Sequence, residues 1–261
     1  MWPAGSHSGP GSKSYSSIST PGLEPEPSFV KSSETDTIEF QAILFDLDGT
    51  LLDTLADIAC AANAGLKQLG FPTHPIESYR RFVGDGAGCL ARRVLPDDHQ
   101  DDETAERCRE IIRAEYAKCW ADNTKPYPGV TELLTELQER GIPMAVLSNK
   151  PHDATRTVVE GYFPDYHFQV VRGALPSVPV KPDPAGALQI AEELGIPPER
   201  FVYLGDTDTD MHTAVAAGMF PAGALWGFRT AEELTANGAR VLLKTPHEVV
   251  NLFNRAQSDG G

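Results

Sequence analysis

The chain has 261 residues, 41% of them hydrophobic, and a formal net charge of -15. That length accommodates a core domain with a smaller companion. The acidic balance excludes nucleic acid and an anionic membrane surface as main partners, because both are held by clustered Lys and Arg.

Residues 1–38 read as a disordered tail. Stretches such as Gly9-Pro10-Gly11-Ser12 and Pro21-Gly22-Leu23-Glu24-Pro25 bury too little apolar surface to offset chain entropy. Order begins near Ile38. Gln41-Ala42-Ile43-Leu44-Phe45-Asp46 is a short apolar run ending in a carboxylate, the pattern of a doubly covered parallel strand. The Ala-rich segment 55–68 is helical. Residues 76–120 are mostly helical too, with breaks at Val83-Gly84-Asp85-Gly86 and Leu95-Pro96-Asp97-Asp98. Apolar residues at Val130, Leu133, Leu134 and Leu137 give a helix stopped by Gly141. A strand follows at 144–148, a helix near 153–160, a strand at 168–171 and a helix over 185–194. Then come a strand at 201–206, a helix at 209–217 and a last strand near 221–226.

Strands alternating with helices predict an α/β fold: a Rossmann-like parallel sheet flanked by helices, with a small helical domain inserted after the first strand. The expected division is a core of residues 39–54 and 126–255 and an insert of residues 55–125. In such a sheet, ligands bind beyond the carboxyl ends of the strands. Three strands end on polar residues, Asp46, Ser148 and Asp206. The fold would bring these together from distant parts of the chain.

No apolar run reaches the ~18–20 residues of a membrane span, and no charged-then-apolar leader opens the chain. Cys60, Cys89, Cys108 and Cys119 form no C-x-x-C pair. A cytoplasmic protein with free, buried thiols is expected. An EF-hand reading of Asp206-x-Asp208-x-Asp210 fails, because Met211 stands where the loop requires Gly. Asp208 reads as solvated, and Trp120, Trp226 and Tyr203 as core.

Two carboxylates two residues apart, Asp46 and Asp48, suit a nucleophile and an acid/base partner at one strand end. Ser148 can donate a hydroxyl hydrogen bond, and backbone N–H groups near Asn149 at a helix start can add more. Lys181 supplies a point charge. Asp206 and Asp210 offer hard oxygen ligands suited to Mg²⁺. Together these parts suit a transferring phosphoryl group, where catalysis is mostly positioning and charge stabilisation.

Asp46-Leu47-Asp48-Gly49-Thr50 resembles the first motif of the haloacid dehalogenase superfamily in its phosphatase form. Ser148-Asn149-Lys150-Pro151, Lys181-Pro182 and Gly205-Asp206-Thr207-Asp208-Thr209-Asp210 resemble the other three, in order. The resemblance covers residues 40–253 and implies the following roles. Asp46 attacks phosphorus, while Asp48 protonates the leaving oxygen and then activates water. Ser148, Asn149 and Lys181 bind phosphate. Mg²⁺ is held by Asp46, the backbone carbonyl of Asp48 and Asp206, with Asp210 binding directly or through water. An Asp at position 48 points to phosphate esters rather than to haloacids or phosphonates.

The helical insert is similar to the cap of phosphoglycolate phosphatases, as is the Ser148–Pro151 motif. Gly84, Asp85 and Gly86 would then form a specificity loop. One of Arg80, Arg81, Arg92 and Arg93 would meet the substrate carboxylate. The expected partner is a small phosphorylated metabolite, and the chain a monomer or homodimer. A β-phosphoglucomutase-like phosphomutase, a pyrophosphatase or nucleotidase on the same scaffold, and a non-enzymatic binder remain as alternatives.

Overall fold

The computed structural model describes residues 39–254. The expected tail, residues 1–38, lies outside them, as does residue 255 of the expected core. Strand β1 (Ala42–Phe45) is followed by the short β2 (Leu52–Asp53). Four helices come next: α1 (Leu55–Leu69), α2 (Tyr79–Phe82), α3 (Gly86–Val94) and α4 (Asp102–Cys119). The chain returns through β3 (Lys125–Pro126) and then alternates. The order is α5 (Val130–Glu139), β4 (Met144–Pro151), α6 (His152–Tyr162), β5 (Val170–Ala174), α7 (Ala185–Leu194) and β6 (Phe201–Gly205). It continues with α8 (Asp208–Ala217), β7 (Phe220–Ala224), α9 (Ala231–Ala236) and β8 (Val241–Leu243), and closes on a 3₁₀ helix, Pro246–Phe253.

Six strands form one sheet in the order β5-β4-β1-β6-β7-β8, every neighbour parallel. Side chains along a strand alternate between faces, and here both faces are covered. Ile43 and Phe45 of β1, Met144 and Val146 of β4, and Val202 and Leu204 of β6 enter one apolar cluster. Their neighbours Ala42, Leu44, Ala145, Leu147, Phe201 and Tyr203 enter a second. Burying such side chains stabilises by roughly 1.5–3 kcal/mol for each large one, which is why these strands read as unbroken apolar runs. β1 is central, with later strands added on both sides. That reversal of strand order opens a crevice at the carboxyl ends of β1, β4 and β6.

Helices α1–α4 have a third cluster of their own, containing Leu66, Tyr79, Val94, Cys108 and Ile112, with Phe228 joining from beyond β7. The chain leaves for these helices and returns at one place. β2 and β3 pair antiparallel, Leu52 opposite Pro126 and Asp53 opposite Lys125. Asp57, fully buried in the first turn of α1, binds the returning segment. It accepts from the backbone and side chain of Asn123 (2.8–3.0 Å) and of Thr124 (2.7 and 2.8 Å). Burial alone would raise this carboxyl, but these donors outweigh it and hold it below the usual carboxylate range. Asp57→Ala leaves several donors unpaired, so we expect a loss of about 3 kcal/mol in urea unfolding, with Asp57→Asn recovering part. A loss under about 1 kcal/mol would show that water replaces the carboxylate.

Four sequence expectations shift. β4 continues through Ser148 to Pro151, and β5 begins at Val170 rather than residue 168. β8 is too short, at three residues, to leave a periodic signal. Cys108 is buried, but Cys60 and Cys89 are exposed, on outward faces of α1 and α3. None of the described helices is long and apolar enough to cross a membrane.

Candidate active site

The carboxyl ends of β1 and β6 carry Asp46 and Asp206 side by side. Asp206 is fully buried and fixed from two directions. Thr50 Oγ1 donates to its Oδ1 (2.9 Å) and the Phe228 backbone N–H to its Oδ2 (2.8 Å). Gly49, at φ 97°, and Gly227 both press their backbone against this carboxylate, and a Cβ at either would overlap it. The Trp226 indole N–H donates to the Thr50 carbonyl (2.9 Å), holding the turn that follows Asp48.

Lys181 is the hub. Its Nζ donates to Asp46 Oδ1 (2.7 Å) and Asp210 Oδ1 (2.6 Å). Asp210 also closes a capping box at the start of α8, where its Oδ2 accepts from the Thr207 backbone N–H (3.0 Å) and hydroxyl (2.6 Å). Asn149 anchors Lys181 from the neighbouring strand end. Its Oδ1 accepts from the Lys181 backbone N–H (2.9 Å), and its Nδ2 donates to the Lys181 carbonyl (3.0 Å) and to the Gly84 carbonyl (3.1 Å). The Asn149 side chain is thus spent on positioning. Ser148 is buried and faces the cavity beside Asp46.

One oxygen of each of Asp46, Asp206 and Asp210 lies within 4.8 Å of the others. Three buried carboxylates against one lysine leave an excess of negative charge. Burial, then the nearby Asp210, push the Asp46 carboxyl up to about 7 despite Lys181. Burial, then Asp46 and Asp210, raise Asp206 well above the ordinary carboxylate value. A cluster of hard oxygens in this state fits a divalent cation such as Mg²⁺. Asp206 and Asp210 each have both oxygens hydrogen-bonded, whereas Asp46 Oδ2 accepts no hydrogen bond among the described residues and is the most available oxygen of the cluster.

Asp48 stands apart from this cluster. Both its oxygens accept from Lys150 Nζ (2.8 and 2.7 Å), and the lysine lies 4.7 Å from the centre of the Tyr116 ring on α4. Lys150 is 7% exposed. Burial disfavours its charge, but Asp48 outweighs this and raises its pKa above the ordinary lysine value. Lys150 lies inside the Ser148–Pro151 motif, yet sequence reasoning gave it no role. Its signal was a lysine within a buried strand, a place where lysine rarely occurs unpaired.

A cavity of about 320 Å³ lies over Asp46, Asp48, Ser148 and Lys150 and is roofed by the inserted helices. Gly84 and Gly86 line it, both at positive φ (127° and 87°). A Cβ at Gly86 would meet the Asn149 carbonyl at 3.1 Å, so this loop packs against the core. Asp85 does not line the cavity. It accepts from Thr209 Oγ1 (2.5 Å) and pairs with Arg93 (2.5 Å). None of the four arginines read from the sequence lines the cavity either. Arg80 binds Glu77 and the Gly227 carbonyl, and Arg92 binds Asp102 and the Gln100 carbonyl. Arg81 faces a separate surface groove with Arg92 and Arg93. The arginine that lines the active cavity is Arg113 on α4. Arg229, also unforeseen, reaches from the core to the carbonyls of Arg80 and Val83 and pairs with Asp208 (3.4 Å), which sequence reasoning took as solvated. Trp120, expected in the core, packs against the main core cluster and also lines the cavity.

The sequence profile of one family, Haloacid dehalogenase-like hydrolase, matches residues 43–224. A protein of Pseudomonas savastanoi pv. phaseolicola named phosphoglycolate phosphatase is 36% identical over 190 residues, covering 71% of this chain and 70% of that protein. One of Aquifex aeolicus with the same name is 32% identical over 214 residues, covering 82% of this chain and 97% of that one. A crystal structure from Lactobacillus delbrueckii subsp. bulgaricus, provisionally named a phosphoglycolate phosphatase, superposes with a TM-score of 0.78 at 28% identity. It covers 82% of this chain and 98% of its own.

Proposed function

The chain belongs to the haloacid dehalogenase-like hydrolases, and from that premise we propose that it hydrolyses small phosphate monoesters, phosphoglycolate first among them, through an aspartyl-phosphate on Asp46. The observation that carries this reading is a pair of carboxylates, Asp46 and Asp48, on the floor of one cavity, each in contact with its own buried lysine. Two relatives with the name phosphoglycolate phosphatase support the substrate.

Asp46 is the nucleophile. Lys181 occupies its Oδ1 and favours the ionised form that attack requires. Ser148 and Lys181 receive the phosphoryl oxygens, and Asn149 fixes Lys181. Asp48 passes a proton to the leaving oxygen and then draws one from water to release phosphate. Lys150 holds Asp48 over the floor of the cavity between these steps. The roof formed by α1–α4, residues 55–125 in our reading, excludes bulk water and so strengthens each of these contacts. Asp46, Asp206 and the backbone carbonyl of Asp48 would hold Mg²⁺, with Asp210 contributing through water. When bound, the ion screens the nucleophile from the anionic substrate and offsets charge on the transferring group.

Inorganic phosphate release from phosphoglycolate with Mg²⁺ tests the proposal. EDTA should reduce it by about a hundredfold or more, and added Mg²⁺ should restore it. Turnover without phosphate release would identify a phosphomutase instead, and preference for pyrophosphate or nucleotides would move the substrate class. Equal rates in EDTA and Mg²⁺ would remove the metal from the mechanism.

A further inference from the structure

The wall of the cavity opposite Asp46 and Asp48 is one face of α4. Ile112, Arg113, Tyr116, Ala117 and Trp120 recur on it at helical spacing. Ile112, Ala117 and Trp120 are apolar. Arg113 and Tyr116, one turn apart, are the two polar groups of this face.

Neither makes an ion pair or a hydrogen bond of ordinary geometry among the described residues, although Lys150 stands against the Tyr116 ring. Arg113 forms no ion pair or hydrogen bond there, although every arginine that sequence reasoning favoured is engaged elsewhere or lies outside the cavity. The Tyr116 hydroxyl is buried without a hydrogen-bond partner. Leaving a buried hydroxyl unsatisfied costs about 1–3 kcal/mol, and native proteins rarely do so without a reason. Nor is the charge answered locally. Lys150, the nearest buried cation, is matched by Asp48, and Asp153 at the start of α6 lines the cavity without reaching Arg113.

We propose that Arg113 and the Tyr116 hydroxyl form a carboxylate subsite that selects substrates with an acid group at the end remote from the phosphate. One guanidinium fork and one hydroxyl supply the directed donors that a planar carboxylate accepts. The otherwise apolar wall offers little to the hydroxyl-rich body of a sugar phosphate. This inference rests on the reading of Asp46 as the phosphoryl-accepting end of the cavity.

The test separates subsite from substrate. Binding of 3-phosphonopropionate, a non-hydrolysable carboxylated analogue, is compared with binding of propylphosphonate, which has a methyl group in place of the carboxylate. Both are titrated calorimetrically into the full chain with Mg²⁺. The unaltered protein should prefer the carboxylated ligand by roughly ten- to hundredfold. Arg113→Ala should abolish that preference while leaving propylphosphonate affinity within about twofold, since an exposed side chain contributes little to the fold. Arg113→Lys should recover part of it, and Tyr116→Phe should reduce it several-fold. Kinetics on phosphoglycolate and ethyl phosphate should follow, with the Arg113→Ala loss falling mainly in KM and only on phosphoglycolate. Equal affinity for the two phosphonates, or a preference that survives Arg113→Ala, overturns the subsite. An Arg113-dependent preference in a protein that does not hydrolyse phosphoglycolate leaves the subsite standing and removes only the proposed substrate.

Discussion

Asp46→Asn is expected to lower kcat by at least about a thousandfold, because the amide fills the same space but cannot act as an anionic nucleophile. The same change should make the metal-free protein more stable. Asp46 is 5% exposed, and burial followed by Asp210 raises its pKa from 3.8 to about 7. A carboxyl raised in the folded state binds its proton more tightly there than in the unfolded chain. Its contribution to stability is therefore full below about pH 3.8 and falls as pH rises toward about 7, beyond which the penalty is constant. The amide carries no such penalty. In EDTA at pH 8, Asp46→Asn should exceed the parent by on the order of 2–4 kcal/mol, and the advantage should shrink toward pH 5. Thermal unfolding at both pH values, with phosphate release alongside, reads both effects. Retention of a tenth of the parent rate would exclude Asp46 as nucleophile. A less stable variant at pH 8 would show that the Lys181 contact outweighs the repulsion.

Lys181→Met should act in the opposite sense on stability while also abolishing turnover. The lysine holds Asp46 and Asp210 at 2.7 and 2.6 Å, with Asp206 beside them. Burial works against its charge, but the Asp210 and Asp46 carboxylates prevail and keep its pKa well above the ordinary lysine value. A raised lysine contributes fully below its unfolded pKa, so its own titration leaves the stabilisation intact below that value, and any change between pH 5 and 9 comes from Asp46 gaining or losing its charge. Removing one partner of a buried ionic cluster costs about 3–5 kcal/mol, and activity should fall by more than about a thousandfold. Adding Asp210→Asn removes one of the carboxylates left behind. The double variant should regain about half the lost stability and none of the activity, since Asp46 still lacks its cation. Urea unfolding of the two single variants and the double closes the cycle. Additive losses would show that Lys181 and Asp210 are not coupled.

The core of the fold was legible because its signals are local. A strand covered on both faces shows as an unbroken apolar run, and Asp46 and Asp206 stand directly after such runs. Ser148 and Lys181 were found as members of motifs. What was not legible depends on how helices turn toward one another. Arg92 and Arg93 lie near the glycine loop in sequence, but α3 directs Arg92 to Asp102 and Arg93 to Asp85, the loop residue that does not line the cavity. Arg113 has no motif around it. Its clue was the stripe Ile112, Tyr116, Trp120 at intervals of four, which marks the inward face of α4 and places Arg113 at its margin. Asp57 and Arg229 join segments more than 60 residues apart, and no pattern along the chain reveals such a contact.

The pairing of β2 with β3 sets where this protein can be remodelled. The two strands through which the chain leaves and re-enters the sheet layer are already side by side, and Tyr127 donates to the Leu51 carbonyl just below them (3.2 Å). Whatever is spliced between these points starts from ends that are already closed. The entropy of closing a loop grows only with the logarithm of its length, about 0.6 kcal/mol for each doubling. To the sheet, a short turn and a four-helix roof are therefore nearly equivalent insertions. Lineages can exchange, enlarge or discard the roof, and with it the choice of ligand, without renegotiating the fold that carries Asp46.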